Sequence, residues 1–155
     1  MSDTTRLTHV VAKGDACTVE CVIRPSGEAP AKDFLEKDLE RISEKGKDEP
    51  QATARAHFMA LFDRMASYGD RLMGKRFKKE MGVLYAFKSE VKNLQIRFPC
   101  FRDGNKWILT HGFIKPGGKK GLGTWPKTEV DRAEKIMNEY LQAKEKAEDK
   151  KGGGR

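Results

Sequence analysis

Residues 83–113 read VLYAFKSEVKNLQIRFPCFRDGNKWILTHGF, and this stretch decides the fold. Apolar and polar residues alternate in it over three short runs, as they do in half-buried β-strands. The three predicted strands are residues 83–88, 94–101 and 107–113. The turn Asp103-Gly104-Asn105 is predicted to join the last two strands as a hairpin. Because Pro99 has no N–H to donate, the middle strand is predicted to lie at an edge, to be bulged, or to be paired over only part of its length.

Helical patterns lie on both sides of these strands, where apolar residues recur at helical spacing in three segments. The predicted helices run from about residue 32 to 45, from about residue 48 to before Gly69, and from about Pro126 onward. An earlier strand is predicted at residues 17–23, where cysteine, valine and isoleucine alternate with polar residues. The chain is therefore predicted to be an α+β protein.

The length and composition indicate one domain. A chain of 155 residues, 37% of them hydrophobic, is large enough to close a core without disulfide or metal support. We expect residues 1–15 to form an N-terminal extension, residues 16–143 the domain, and residues 144–155 a charged, glycine-ended, disordered tail.

The sequence also indicates a cytoplasmic protein. No stretch approaches the roughly 20 consecutive apolar residues of a membrane span, and residues 1–7 lack the apolar run of a secretory signal. Three cysteines (Cys17, Cys21 and Cys100) make an odd number, so reduced, structural cysteines are expected. No second Cys or His pair follows at zinc-ligand spacing. We therefore expect no membrane partner, no metal and no cofactor.

The chain has 31 Lys and Arg against 23 Asp and Glu, a formal net charge of +8. Such a surplus favours a polyanionic partner through counterion release. The basic residues are densest in residues 70–92. The candidate RNA-binding residues are Arg76, Lys78, Lys79, Lys119, Lys120 and Trp125. A solvated basic turn is the alternative for the cations, and packing at the start of a helix is the alternative for Trp125.

RNA cleavage without a metal uses the ribose 2′-hydroxyl as an internal nucleophile. The protein has to orient that hydroxyl, stabilise charge on the phosphate and assist proton transfer. A guanidinium fits two phosphate oxygens at once, and an ammonium supplies a movable positive charge. The region shows no carboxylate pair and no metal-ligand cluster, which leaves cationic residues as the main catalytic candidates.

Four residues are the catalytic candidates: Arg97, Lys88, Lys115 and His111. Strand alternation places Arg97 on the face opposite the predicted core, where a surface salt bridge is the alternative role. Lys88 ends the first strand and Lys115 leaves the third, and a solvated lysine is the alternative for Lys115. An unperturbed His111 titrates near pH 6.5. It shares a strand face with apolar residues, however, so a hydrogen-bonded core histidine is the alternative.

The order of the elements, together with four local strings, resembles the RelE/ParE toxin superfamily. The strings are GVLYAFK at 82–88, IRF at 96–98, ILTHGFIK at 108–115 and TEVDRA at 128–133. The most similar branch is that of the HigB-like, phage Gp49-like toxins of type II toxin-antitoxin systems, and the resemblance covers about residues 17–141. No string is diagnostic by itself, so the specificity comes from their order.

The resemblance implies helices packed on a twisted, mainly antiparallel sheet. It also implies an mRNA endoribonuclease that acts on ribosome-bound transcripts and has a cognate antitoxin protein as partner, with Lys88 at a basic position of the family. The chain departs from the family pattern in two places. Ala86-Phe87-Lys88 stands where members commonly have a Glu-Leu-Arg-like triplet, and Lys115-Pro116 stands where they have paired lysines.

Two other functions stay open at this point. A ParE-like inhibitor of DNA gyrase would leave transcripts intact and cause broken DNA to accumulate. A noncatalytic, phage-derived RNA-binding protein would be tolerated by the cell and would bind RNA with a steep salt dependence.

Overall fold

A computed structural model describes residues 6–43, 53–115 and 125–153, without the side chains of 149–153. These residues form one α+β domain with a seven-stranded, mostly antiparallel sheet, which confirms the predicted fold class. The strands are β1 (Thr8–Lys13), β2 (Thr18–Val22), β3 (Phe77–Met81), β4 (Leu84–Val91), β5 (Leu94–Asp103), β6 (Lys106–Leu109) and β7 (Phe113–Lys115). The helices are α1 (Pro30–Asp33), α2 (Ala54–Tyr68) and α3 (Lys127–Gly153). None of the described helices is long and apolar enough to cross a membrane.

The two helices that precede the site strands differ in regularity: α1 is short and continues into irregular turns, whereas α2 has a cap residue at each end. α1 continues through a π-helical turn, Phe34–Asp38, and a 3-10 turn, Leu39–Arg41. α2 begins after Thr53, whose hydroxyl accepts a hydrogen bond from the Ala56 N–H at 3.1 Å, a typical N-cap contact. It ends at Gly69, which has a φ of +80°. The predicted start near residue 48 lies outside the described residues.

The strand order is β1-β2-β6-β5-β4-β3, and β7 also pairs with β5. β2 and β6 are parallel, whereas the other pairs are antiparallel. Two strands share one edge of β5: β6 pairs with its second half and β7 pairs with its first half. Pro99 lies between these two partners, and its carbonyl accepts the Thr110 N–H at 2.9 Å. The prediction of partial pairing around Pro99 is confirmed.

Strand alternation gives the sheet a core on each face. The larger core lies under α1 and α2 and includes Phe58, Phe62, Phe87 and Phe98. The second core lies under α3, where Ile136 and Tyr140 pack against Ala86, Phe101 and Phe113. Sequence analysis predicted a core on only one face of β5. The second face is covered as well, and it is the face toward which Arg97 points.

Three other features differ from the sequence predictions. β1 lies within the predicted N-terminal extension, residues 1–15, yet it pairs with β2. The third predicted strand is divided into β6 and β7 because residues 110–112 leave the ladder. The predicted disordered tail, residues 144–155, is helical as far as residue 153. At the start of this segment, Lys144 Nζ donates to Asp103 at 2.8 Å.

Polar contacts attach α3 to the sheet besides its apolar stripe. Tyr140 donates to Asp103 Oδ2 at 2.6 Å, and Arg24 pairs with Glu139 at 2.8 Å. Near the start of α3, His111 Nε2 lies 2.9 Å from Glu129 Oε1. These contacts fix the helix over the second core.

Gly112 provides a first test of the packing between β7 and α1. A Cβ atom at this position would overlap the ring of Phe34, which packs edge-on against Phe98. Gly112→Ala should therefore lower the free energy of unfolding by about 1–3 kcal/mol, as measured by urea denaturation. In a Phe34→Leu background the same substitution should cost less, and an alanine variant as stable as wild type would contradict this account.

His111 provides a second test, through the pH dependence of stability. Its side chain is fully buried, and burial lowers its pKa to about 4 against the opposing effect of the Glu129 hydrogen bond. Below the ordinary pKa of 6.5 the unfolded chain takes up a proton that the folded chain does not. The free energy of unfolding should therefore fall as the pH drops from 6.5 toward 4, by up to about 1.4 kcal/mol per pH unit.

The matched control for this test is His111→Gln, whose amide can still donate to Glu129. Urea denaturation of both proteins between about pH 7 and about pH 5 should give a shallower slope for the variant. Carboxylates that do not contact His111 contribute equally to both proteins. Equal slopes would show that His111 does not change its protonation on unfolding.

Candidate phosphate-binding site

The register of the central strands brings three predicted cations together. Lys88 is directly opposite Arg97 across β4 and β5, and Lys115 is opposite Gln95 across β5 and β7. Side chains that are directly opposite each other in an antiparallel pair point to the same face. Lys88, Arg97 and Lys115 therefore share the sheet face that carries Phe113 and the second core.

A two-residue turn sets this register. β4 and β5 are joined by Lys92 and Asn93, which have φ values of +54° and +66°. Positive φ at both central residues is the geometry of the tight hairpins whose twist matches that of the strands. Such a short loop fixes the pairing between strands, so Lys88 is held opposite Arg97.

The three positive charges interact electrostatically. Burial lowers the pKa of the Lys88 ammonium, and the charges of Arg97 and Lys78 lower it further. Burial also lowers the pKa of Lys115, with added contributions from Arg97 and Lys88. Glu80 opposes both shifts. Each lysine is thus a better proton donor than an isolated lysine, mainly because of burial and also because its neighbours are cationic.

Arg97 is buried without an acidic partner in contact. Its side chain donates to two neutral oxygens, the Ile96 carbonyl at 3.1 Å and Gln95 Oε1 at 3.3 Å. Within the described part of the chain, no Asp or Glu forms an ion pair with it, and the residue is only 6% exposed. Burial lowers its pKa, but a guanidinium stays protonated. The salt-bridge role considered for Arg97 is therefore not the one that the structure shows.

Glu80 adds a carboxylate that sequence analysis did not select. It lies in a β-bulge of β3, between Lys79, which pairs with Tyr85, and Met81, which pairs with Leu84. Its Oε2 atom is 3.7 Å from Lys88 Nζ. The only sequence signal was its position as the acidic residue that follows the basic run 75–79. Bulges often redirect side chains next to functional sites.

The predicted RNA-binding cations are distributed along the edge of the sheet. Arg76 directly precedes β3, and Lys78 and Lys79 lie in that strand, all three exposed to solvent. β3 is an edge strand, so this row of charge is open on one side. Lys119 and Lys120 lie outside the described residues.

Two of the predicted site residues belong to the core instead. His111 is fully buried and its ring nitrogens are within hydrogen-bond distance of Thr110 Oγ1 and Glu129 Oε1, so it is not exposed to a substrate. Trp125 is 5% exposed and packs edge-on against Phe113. Its ring has no open face on which an RNA base could stack. In both cases the structure agrees with the packing alternative.

The residues whose side chains could coordinate a metal ion are dispersed over the described part of the structure. In residues 6–43, 53–115 and 125–153, no group of three or more His, Cys, Asp or Glu residues is placed so that it could hold a metal ion. The charged side chains that the structure brings together at the site are Lys88, Arg97, Lys115 and Glu80.

Comparison with known proteins identifies the family. The model of the family described as "Phage derived protein Gp49-like (DUF891)" matches residues 35–138, which include α2, all the strands from β3 to β7 and the first part of α3. No curated protein and no solved structure matched significantly. The family is linked to toxins of the RelE and HigB type. On this match, which covers about two thirds of its length, the chain belongs to the Gp49-like family of phage-derived proteins.

Proposed function

We propose that this protein is the toxin of a type II toxin-antitoxin system and that it cleaves mRNA on the ribosome without a metal ion. The observation that carries the proposal is the buried Arg97, whose hydrogen bonds within the described residues go to neutral oxygens and which lies beside Lys88. A buried charge is normally compensated by a partner. A phosphodiester would supply the missing negative charge.

The site contains the groups that this chemistry requires. The guanidinium of Arg97 can bind two phosphate oxygens, and an added lysine charge stabilises the negative charge that develops as the 2′-oxygen attacks. Lys88 and Lys115 have lowered pKa values, mainly because of burial, so either can give a proton to the leaving 5′-oxygen. The exposed row formed by Arg76, Lys78 and Lys79 provides a surface for ribosome-bound RNA.

The first test is induced expression with transcript mapping. Wild-type protein should stop growth and produce cleaved transcripts, whereas Arg97→Ala and Lys88→Ala should each reduce cleavage by about a hundredfold or more. Arg41→Ala is the control, because Arg41 is exposed at the end of the 3-10 turn after α1. It should remain toxic.

The alternative outcomes of this experiment are informative. Intact transcripts together with broken DNA would indicate a gyrase inhibitor and not a nuclease. Normal growth with salt-dependent RNA binding would indicate a noncatalytic RNA-binding protein. Unchanged cleavage by Arg97→Ala would remove the cationic site from the mechanism.

The second test uses stability. If Arg97 is kept for an external anion, its buried charge costs stability in the free protein. Arg97→Met retains an unbranched side chain but removes the charge and its repulsion with Lys88 and Lys115. We expect the free energy of unfolding to rise by about 1–2 kcal/mol while cleavage is lost. A clear loss of stability would mean that Arg97 is a structural residue.

A further inference from the structure

Glu80 has a buried carboxylate oxygen, Oε2, whose contact with a cation in the described residues is the long one to Lys88. Oε2 has no hydrogen-bond donor among the described residues. The nearest cation, Lys88 Nζ, is 3.7 Å away, which allows an ionic contact but is long for a hydrogen bond. Native proteins rarely leave a buried acceptor unpaired, and such groups are frequent at functional sites.

Glu80 interacts electrostatically with all three cations of the site. Its negative charge acts on Lys88, Arg97 and Lys115, and it opposes the lowering of the pKa in each of the three. Lys88, Arg97 and Lys115 come from the three strands β4, β5 and β7, whereas Glu80 approaches from the bulge in β3. Glu80 is therefore beside the place where a phosphate bound by these cations would lie.

The chemistry of RNA makes this position significant. In a ribonucleotide the 2′-hydroxyl is on the carbon next to the one that carries the scissile phosphate. A phosphate held by Arg97 and the lysines therefore brings a hydroxyl proton close to the site's carboxylate. Oε2, which accepts no close hydrogen bond among the described residues and has a long ionic contact with Lys88, is the atom that can receive the proton.

We propose that Glu80 is the general base of the cleavage reaction, an inference that rests on the proposed function. The carboxylate takes the proton of the 2′-hydroxyl while O2′ forms a bond to phosphorus. The bond between phosphorus and O5′ breaks, and O5′ takes a proton from Lys88 or Lys115. The products are a 2′,3′-cyclic phosphate and a free 5′-hydroxyl, and Glu80 then returns its proton to solvent.

The test compares Glu80→Gln with wild type in single-turnover cleavage of a synthetic transcript bound to ribosomes. Glutamine has nearly the same shape but cannot accept the proton, so the rate should fall by about a hundredfold or more, and Glu80→Asp should recover part of it. Asp63→Asn is the matched control. It removes one negative charge from an exposed position on α2, on the other face of the sheet.

Binding separates catalysis from a structural counter-ion. A transcript with a 2′-deoxy nucleotide at the mapped cleavage position should bind to Glu80→Gln at least as tightly as to wild type, because the substitution leaves Lys88, Arg97 and Lys115 in place.

The outcomes distinguish this inference from the proposed function. If wild type cleaves RNA and Glu80→Gln cleaves it equally fast, Glu80 is not the base and the nuclease assignment stands. If the variant loses RNA binding together with cleavage, Glu80 is a structural counter-ion and the inference is wrong. If wild type leaves every transcript intact, the proposed function and the inference are both wrong.

Discussion

The buried guanidinium of Arg97 is the constraint on which the site depends. A charge removed from water is costly unless opposite charge or several hydrogen bonds replace the lost hydration. In the part of the chain that the structure describes, Arg97 donates to two neutral oxygens, those of Ile96 and Gln95, and it faces Lys88 across the ladder. The apolar packing of the rest of the domain has to offset this cost. A buried charge of this kind persists in a folded protein when the backbone that carries it cannot move away. It serves a function when an anion binds beside it and supplies the opposite charge.

That rigidity comes from the same two strands. Phe87 and Phe98 lie next to Lys88 and Arg97 in sequence but point to the opposite face, where they meet Phe62 and Phe58 with ring centroids 5.0 and 4.9 Å apart. Close aromatic packing restricts the strands on that side, and the turn between β4 and β5 fixes their register. The positions of the cations are therefore a consequence of the core, so a core substitution that shifts β4 against β5 would disturb the site without contacting it.

The sequence predicts those parts of the fold in which local pattern and tertiary environment agree. β4, β5 and the hairpin to β6 alternate clearly, and α2 has an apolar stripe with a cap at each end. β3 was missed because its sequence, FKKEM, is mostly charged, and it is a strand only because β4 pairs with it along an edge. The end of α3 was missed for a similar reason. Lys144, at the start of that segment, donates to Asp103 in β5, a residue that is far from it in sequence.

The sequence predicts less of the candidate site than of the fold. Alternation alone suggested that Arg97 points away from the main core, and the register of the strands brings Lys88 and Lys115 to it. No pattern could place Glu80, because its position depends on a bulge that inserts one residue between two ladder pairs. Trp125 was misread because a tryptophan beside a proline gives no sign of which face its ring will occupy. Sites built from dispersed cations have no spacing motif, so strand register, rather than any short string, determines which of many lysines and arginines belong to one site. In this chain two turn residues set that register, so the pairing of β4 with β5 determines which cations can act together.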